Sequence, residues 1–203
     1  MKNLAARKRV SVTAILTVLA LAVVTLMAAA TVRALERGDL AKVETQIRAD
    51  YAGIAHLTAA ALEAAMARSD DVVIFDVREE NEFAVSRIAG ARRVDPGASG
   101  RQFMHEHGAD LAGRTVVFYC SVGVRSSRLA SRVADALRER GVKGVSNLEG
   151  GLFRWHNEAR GLIDVQGGTD RIHPYDAQWG KLVERQDKVS LKPRGAAGPQ
   201  QVR

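Results

Sequence analysis

The sequence contains one cysteine, Cys120, among its 203 residues. A single cysteine cannot close an internal disulfide, so no disulfide framework stabilises this chain. In an oxidising compartment such a thiol would be a hazard unless it had a use. Charge is also missing from one long stretch, because residues 10–32 contain no Asp, Glu, Lys or Arg.

That uncharged stretch predicts a membrane segment. It has 23 residues, and roughly 20 helical residues cross the hydrocarbon core of a bilayer. Four basic residues precede it within residues 1–9, which predicts a cytoplasmic N-terminus and an exported domain, on the periplasmic side if the source is bacterial. The alternative is a cleaved signal peptide ending near Ala28–Ala30, although residues 10–32 exceed the usual apolar core of about 7 to 15 residues. Both alternatives export the domain.

Part of the net positive charge comes from the same N-terminal basic residues. The chain carries a net charge of +7, and without the four basic residues of the N-terminus the balance falls to +3. The basicity is therefore partly a topology signal, and we expect no nucleic-acid partner.

The remainder has the composition and pattern of an α/β domain. Hydrophobic residues make up 46% and charged residues 26% of the chain, which excludes wholesale disorder. Short apolar runs at residues 72–75 and 115–119 predict buried parallel strands, and a stripe through Leu129, Val133 and Leu137 predicts a helix. This alternation predicts a parallel sheet with helices on both faces. We place the domain at residues 57–163, after a juxtamembrane linker or helix at 33–56.

The C-terminal extension, residues 164–203, contains a helical pattern through Tyr175 and Trp179 that could dock on the domain. From about Asp187 onward the sequence is polar and contains Pro and Gly, which predicts disorder.

Cys120 ends the second apolar strand and is followed by a short loop of small residues, then by Arg125 and a helix that we place from Ser126 to about Arg140. A cysteine has a pKa of about 8.5, and the value falls beside positive charge and at a helix N-terminus. Gly123 permits backbone angles that let successive N–H groups converge on an anion. We therefore predict a reactive thiolate at Cys120; the alternative is a buried structural cysteine.

Three stretches give the sequence a specific resemblance. They are Asp76–Glu79 with Glu82-Phe83 and Ile88–Ala91, then Tyr119–Ser126, then Leu148–Gly151 with Trp155. In these stretches, and in their order, the sequence resembles the rhodanese superfamily of single-domain sulfurtransferases over roughly residues 57–160.

The resemblance implies the rhodanese α/β fold and a persulfide on Cys120, which takes sulfur from a donor anion such as thiosulfate and passes it to cyanide or a thiol, including a thiol on a protein. It implies that Arg125 binds the anionic donor and that the loop N–H groups cradle the sulfur, with no metal and no cofactor. The residues expected to bind substrate are Ser121, Val122, Gly123, Val124, Arg125 and Ser126.

The loop length separates this resemblance from a related one. Four residues lie between Cys120 and Arg125, as in the sulfurtransferases, whereas the related phosphatases have one residue more. A phosphatase or arsenate reductase is therefore the third hypothesis. The second is a rhodanese-like binding or sensing module that carries a persulfide or an oxidised thiol without turnover.

Some motif residues are interpreted as structural. Asp76 is expected to accept hydrogen bonds at its strand end, and Arg78 to form an ion pair or to attract an anion. The chain has Arg87-Ile88-Ala89 where the family often has His-Ile-Pro, in a segment taken to be structural. The tail motif around Tyr175 and Trp179 implies packing more than chemistry.

Overall fold

The computed structural model describes residues 39–68 and 71–195. The strands are β1 (Ala55–Leu57), β2 (Val72–Asp76), β3 (Arg92–Arg93), β4 (Thr115–Tyr119), β5 (Gly144–Leu148), β6 (Leu162–Asp164) and β7 (Gly167–Thr169). The helices are α1 (Leu40–Asp50), α2 (Ala59–Arg68), α3 (Glu80–Val85), α4 (Gly100–His107), α5 (Val124–Glu139) and α6 (Gly151–Asn157), with 3-10 turns at Gly108–Asp110, Trp179–Leu182 and Gln186–Lys188.

A five-stranded parallel sheet in the order β1-β5-β4-β2-β3 lies at the centre of the fold. Side chains alternate across it because successive residues of a strand point to opposite faces. On β4, Val117 and Tyr119 join the core on one face, with Leu62 of α2 and Leu152 of α6. Phe118 joins the opposite core, which α4 and α5 cover. The predicted parallel sheet with helices on both faces is confirmed.

The residues that follow β2 and β4 lie together at the carboxyl end of the sheet. Asp76 pairs in register with Tyr119, so the residues after β2 and β4 emerge side by side. Cys120 follows β4 directly, between the ends of β2 and β5. Sites in open α/β sheets form at the carboxyl ends of the strands, and the candidate site lies there.

The domain begins earlier than the sequence predicted. Leu40 and Ile47 of α1 are buried, and β1 pairs with β5 at the edge of the sheet. Glu44 accepts two hydrogen bonds from Arg154 of α6, at 2.8 and 2.9 Å. Residues 39–56 are therefore packed on the domain, and of the two alternatives for 33–56, a linker or a helix, the described part contains helix α1. The sequence did not indicate β1, which has only three residues and takes its stability from β5.

The described part of the C-terminal extension is also packed. The strands β6 and β7 form an antiparallel hairpin, and Ile163 exchanges two backbone hydrogen bonds with Arg87, each 2.9 Å long. Arg194 donates to both carboxylate oxygens of Asp164, at 2.5 and 2.6 Å. The predicted disorder from Asp187 onward is wrong as far as residue 195, since these contacts tie the segment down.

Across residues 39–68 and 71–195, no helix has both the length and the apolar character needed to cross a bilayer. The basic N-terminus (1–9), the predicted anchor or signal (10–32) and the start of the predicted linker (33–38) lie outside the described residues, as do residues 196–203.

Candidate active site

Cys120 is buried, with 1% of its surface exposed, at the point where β4 turns into the loop. The Gly123 N–H donates a hydrogen bond to the sulfur over 3.2 Å. Gly123 adopts a φ of +110°, and a side chain there would meet Asn147 Nδ2 at 3.1 Å. The backbone angle therefore requires glycine, and a side chain would also crowd the Asn147 amide.

Helix α5 begins two residues earlier than predicted, at Val124 rather than Ser126. The left-handed conformation of Gly123 turns the chain directly into the helix. Arg125 therefore lies in the first helical turn and not in the loop. The N–H of Ser126 belongs to the same turn, has no partner within the helix, and favours the thiolate form of Cys120.

The pKa of the Cys120 thiol lies below its ordinary value. Burial raises it, but the positive charge of Arg125 and the neighbouring polar groups of Ser126 and Gly123 together outweigh burial. Each of these groups favours the thiolate over the thiol. This environment favours ionisation of the thiol, and the reactive thiolate at Cys120 stays a prediction.

Glu82 of α3 is the partner of Arg125; the sequence placed it in a family motif but gave it no role. Arg125 donates to both carboxylate oxygens of Glu82, at 2.8 and 2.9 Å, and to the Ser121 hydroxyl at 3.0 Å. Three of its five N–H donors are thus committed. The guanidinium also lies within hydrogen-bonding reach of the Cys120 sulfur.

Ser121 takes part in this cluster in a way that was not expected. Its hydroxyl donates to Glu82 Oε1 over 2.8 Å and so does not serve as a donor to the sulfur. Burial raises the pKa of Glu82. Arg125, Arg78 and the Ser121 hydrogen bond lower it by more than burial raises it, so the carboxyl stays ionised.

Asn147 of β5 holds Ser126 in place. The Ser126 hydroxyl donates to Asn147 Oδ1 over 2.6 Å, and Asn147 Nδ2 lies 3.4 Å from His56 Nδ1 on β1. A series of polar side chains therefore runs from β1, at the edge of the sheet, to Ser126 in the first turn of α5. Sequence patterns gave no signal for it, because Asn147 and His56 lie in unremarkable strand positions.

The Gly150-Gly151 pair brings the start of α6 against the backbone of the Cys120 loop. The N–H groups of Leu152 and Phe153, at the start of α6, donate to the carbonyls of Cys120 and Ser121 over 2.8 and 2.9 Å. A side chain at Gly151 would lie 2.4 Å from the Cys120 carbonyl oxygen, so this close approach requires glycine.

Asp76 and Arg78 form a buried structural pair. Both side chains have no exposed surface, and Arg78 donates to the two carboxylate oxygens of Asp76 at 2.8 and 2.7 Å. A third donation reaches the Ser86 carbonyl over 2.6 Å. The structural interpretation of both residues is confirmed, and Arg78 is too enclosed to attract an anion.

A cavity of about 130 Å³ opens beside the thiol. The residues that line it are Cys120, Ser121, Val122, Val124, Arg125, Tyr175 and Trp179. Tyr175 lies with its ring centroid 4.7 Å from the Arg125 guanidinium carbon. Five of the seven predicted site residues thus share the cavity, while the Gly123 N–H binds the sulfur and Ser126 lies in the first turn of α5. The tail motif, interpreted as packing more than chemistry, supplies two aromatic walls.

His173 fixes the position of Tyr175. It is buried, and its Nδ1 accepts the Tyr175 N–H over 3.1 Å. Burial lowers the pKa of His173; Glu82 opposes this shift, while Arg78 and Arg125 reinforce it. The neutral imidazole is the form that can accept this hydrogen bond.

Comparison with known proteins fits this arrangement. A family model described as a rhodanese-like domain matches residues 58–158. The chain contains a rhodanese-like domain. The matched span includes the Cys120 loop, Glu82 and Gly151, but α1, β1 and the segment carrying Tyr175 and Trp179 lie outside it.

The curated relatives match about half of the chain. A protein named tRNA uridine(34) hydroxylase from Bordetella parapertussis is 32% identical over 105 residues, covering 51% of this chain and 42% of the relative. A protein of the same name from Rhodococcus erythropolis is 38% identical, covering 48% of this chain and 34% of the relative. The chain spans less than half the length of these relatives.

Solved structures resemble the rhodanese-like domain more distantly. A thiosulfate sulfurtransferase from Pseudomonas aeruginosa aligns with a TM-score of 0.48 at 19% identity, covering 70% of this chain and 25% of the other. A rhodanese-related protein from Thermoplasma volcanium aligns with a TM-score of 0.42 at 21% identity, covering 54% and 97% of the two chains. Similarity at this level says nothing about activity.

Replacing Arg125 with Gln is expected to raise the pKa of Cys120, because the guanidinium is the strongest group that favours the thiolate. The measurement is the rate of iodoacetamide alkylation as a function of pH, whose midpoint should move upward. The matched control is Arg128→Gln, which removes the same charge from an exposed position one turn further along α5. Equal midpoints in the two variants would contradict the assignment.

The free energy of unfolding is expected to fall as pH decreases below the ordinary His pKa of 6.5 and through the lower pKa of folded His173. The folded state keeps this imidazole neutral while the unfolded state binds a proton, so the contribution is complete above pH 6.5 and lost on acidification. His173→Asn, whose amide oxygen can replace Nδ1 as acceptor, should show a smaller decline in urea titrations at pH 8 and pH 5. Parallel declines in the two proteins would assign the effect to other groups such as His156.

Proposed function

We propose that the protein is a sulfurtransferase that carries a sulfane sulfur as a persulfide on Cys120. The observation that supports this most directly is the environment of the sulfur. The Gly123 N–H donates to the sulfur of a buried thiol, the positive charge of Arg125 favours its ionised form, and a cavity opens beside it. A thiolate stabilised in this way needs no general base to deprotonate it.

In the first half-reaction, the Cys120 thiolate attacks the outer sulfur of a donor such as thiosulfate. The new S–S bond forms on Cys120 as the S–S bond of the donor breaks, and sulfite leaves with the bonding electron pair. The terminal persulfide sulfur carries the negative charge, which the loop N–H groups can stabilise by charge-assisted hydrogen bonds.

In the second half-reaction, a thiophilic acceptor attacks the terminal sulfur. Cyanide leaves as thiocyanate, or a thiolate leaves as a persulfide, and the electron pair of the broken S–S bond restores the Cys120 thiolate. We propose a small thiol, cyanide or a thiol on a protein as the acceptor. No metal or cofactor is required by either step.

The cluster around Glu82 disfavours a phosphatase or arsenate reductase. Arginine binds a phosphate dianion through paired N–H donors, whereas the paired donors of Arg125 are committed to Glu82. A module that carries a persulfide without turnover has the same geometry as the enzyme, and only a measured rate of transfer separates the two.

The tRNA activity named for the relatives is not part of this proposal. The shared segment is under half of each relative, and the remainder of those proteins has no counterpart in the alignment. We propose that this chain acts on small sulfur compounds and not on nucleic acid.

The site of action is proposed from the sequence alone. We propose that residues 10–32 anchor the domain or export it as a cleaved signal, so that transfer occurs outside the cytoplasm. A phosphatase reporter that is active only after export, fused to the C-terminus of the full chain, should be active, and an inactive fusion at normal abundance would refute export.

Replacing Cys120 with Ser is expected to abolish thiocyanate formation from thiosulfate and cyanide, because a hydroxyl at this position cannot form a persulfide. Mass spectrometry of the wild-type protein after thiosulfate treatment should show the gain of one sulfur atom, and the Ser variant should show none. The adduct should disappear when cyanide or a thiol is added.

The folded state of the Ser variant provides the control, since Ser is smaller and keeps a hydrogen-bonding group beside Gly123; its circular dichroism and urea midpoint should remain close to those of the wild type. Undiminished thiocyanate formation by this variant would refute the proposal. A stable sulfur adduct on the wild type that no acceptor removes would favour the non-turnover module.

A further inference from the structure

The outer wall of the candidate site is built by residues beyond the family match. The rhodanese-like model ends at residue 158, yet Tyr175 and Trp179 line the same cavity as Cys120. Together with Val122 and Val124 they give the cavity a largely apolar wall above the thiol. The substrate that reaches Cys120 must therefore pass two aromatic rings.

The segment that carries the rings is held in a defined conformation. Tyr175 adopts a φ of +65°, which is unfavourable for a bulky residue and persists only where the surroundings impose it. The hydrogen bond to His173 supplies one constraint. Asp176 Oδ1 supplies another by accepting the N–H groups of Gln178 and Trp179, each over 2.8 Å.

Gly180 completes the segment. A side chain there would lie 2.8 Å from the Pro174 side chain, so the turn closes tightly on itself. The two rings are consequently presented by a packed turn and not by a loose tail.

Charge at the cavity is balanced rather than positive. Arg125 is the cation of the lining, and Glu82 neutralises it through two hydrogen bonds while Tyr175 covers it. A dianion such as thiosulfate therefore meets a compensated guanidinium. A monoanionic donor with an apolar body matches this surface better.

We propose that the preferred sulfur donor bears a planar apolar group that packs against Tyr175 and Trp179 while its sulfane sulfur reaches Cys120. The inference rests on the proposed persulfide chemistry and names the substrate class of that site. The size is suitable, because a cavity of about 130 Å³ is close to the roughly 150 Å³ apolar cavity that accepts benzene in another protein.

An arenethiosulfonate satisfies these requirements. The Cys120 thiolate attacks its terminal sulfur, the persulfide forms, and the bond between that sulfur and the sulfonyl sulfur breaks. The arenesulfinate leaves with the electron pair, so charge and electrons balance without an oxidant or reductant.

Benzenethiosulfonate and methanethiosulfonate provide a matched pair of probes, since they share the reacting group and the charge and differ in the ring. For the wild-type full chain, we expect a KM about tenfold lower for the benzene compound, the size of effect that aromatic contacts produce. Persulfide formation on Cys120 is followed by mass spectrometry and sulfinate release by steady-state kinetics.

The variants assign the preference to the rings. Tyr175→Ala and Trp179→Ala should each reduce the ratio of kcat/KM between the two donors by about fivefold to tenfold, and Tyr175→Phe should retain it. Leu191→Ala is the control, because Leu191 is 65% exposed and lies outside the cavity lining.

Equal KM values for the two donors in the wild type would overturn the inference, even if an Ala variant failed to fold. A uniform loss of both activities in the Ala variants, with an unchanged ratio, would also overturn it by assigning the rings a structural role. Either result leaves the proposed function intact. If neither thiosulfonate loads sulfur onto Cys120 while thiosulfate does, this inference alone fails; if none of the three does, the proposed function fails with it.

Discussion

The site depends on one buried carboxylate, that of Glu82. Only 1% of its surface is exposed, and it accepts four hydrogen bonds: two from Arg125, one from the Ser121 hydroxyl and one from the Glu79 N–H, which closes the capping box of α3. Removing one partner of such a pair leaves an uncompensated buried charge, at a cost of about 3–5 kcal/mol. Helix α3 and the first turn of α5 are therefore fixed together, and with them the guanidinium beside the thiol.

The backbone of the loop is constrained from the other side by α6, whose first N–H groups bind the carbonyls of Cys120 and Ser121. The loop thus has the carbonyls of Cys120 and Ser121 directed toward α6 and the Gly123 N–H directed toward the sulfur. Because these groups are already oriented, the charge of a thiolate or persulfide requires little reorganisation, which is the usual physical basis of electrostatic stabilisation in active sites.

The sequence predicted the parts of the fold that local pattern determines. The runs before Asp76 and Cys120 are continuous and apolar, so their burial as parallel strands followed directly, and the cysteine, glycine and arginine of the loop were recognisable from spacing. What could not be predicted are pairings between distant residues. Glu82 and Arg125 are 43 residues apart, and nothing local indicates which carboxylate will meet the arginine.

Short and irregular elements were missed for a related reason. Strand β1 exists through its pairing with β5, and the segment around Tyr175 is held by His173 and Asp176 in a conformation that no periodicity encodes. The early start of α5 follows from the left-handed angle of Gly123, which a sequence permits but does not demand. The predicted anchor at residues 10–32 remains a prediction.

The boundary of the family match has a consequence for how such a protein can diversify. The thiol lies in a loop between β4 and α5, whereas the aromatic wall comes from a turn more than 50 residues later in the chain. Under the proposed function, changes in that turn can alter which molecules enter without disturbing the groups around the sulfur. Reactivity and selectivity would then be carried by separate stretches of sequence, of which only the first lies within the family match.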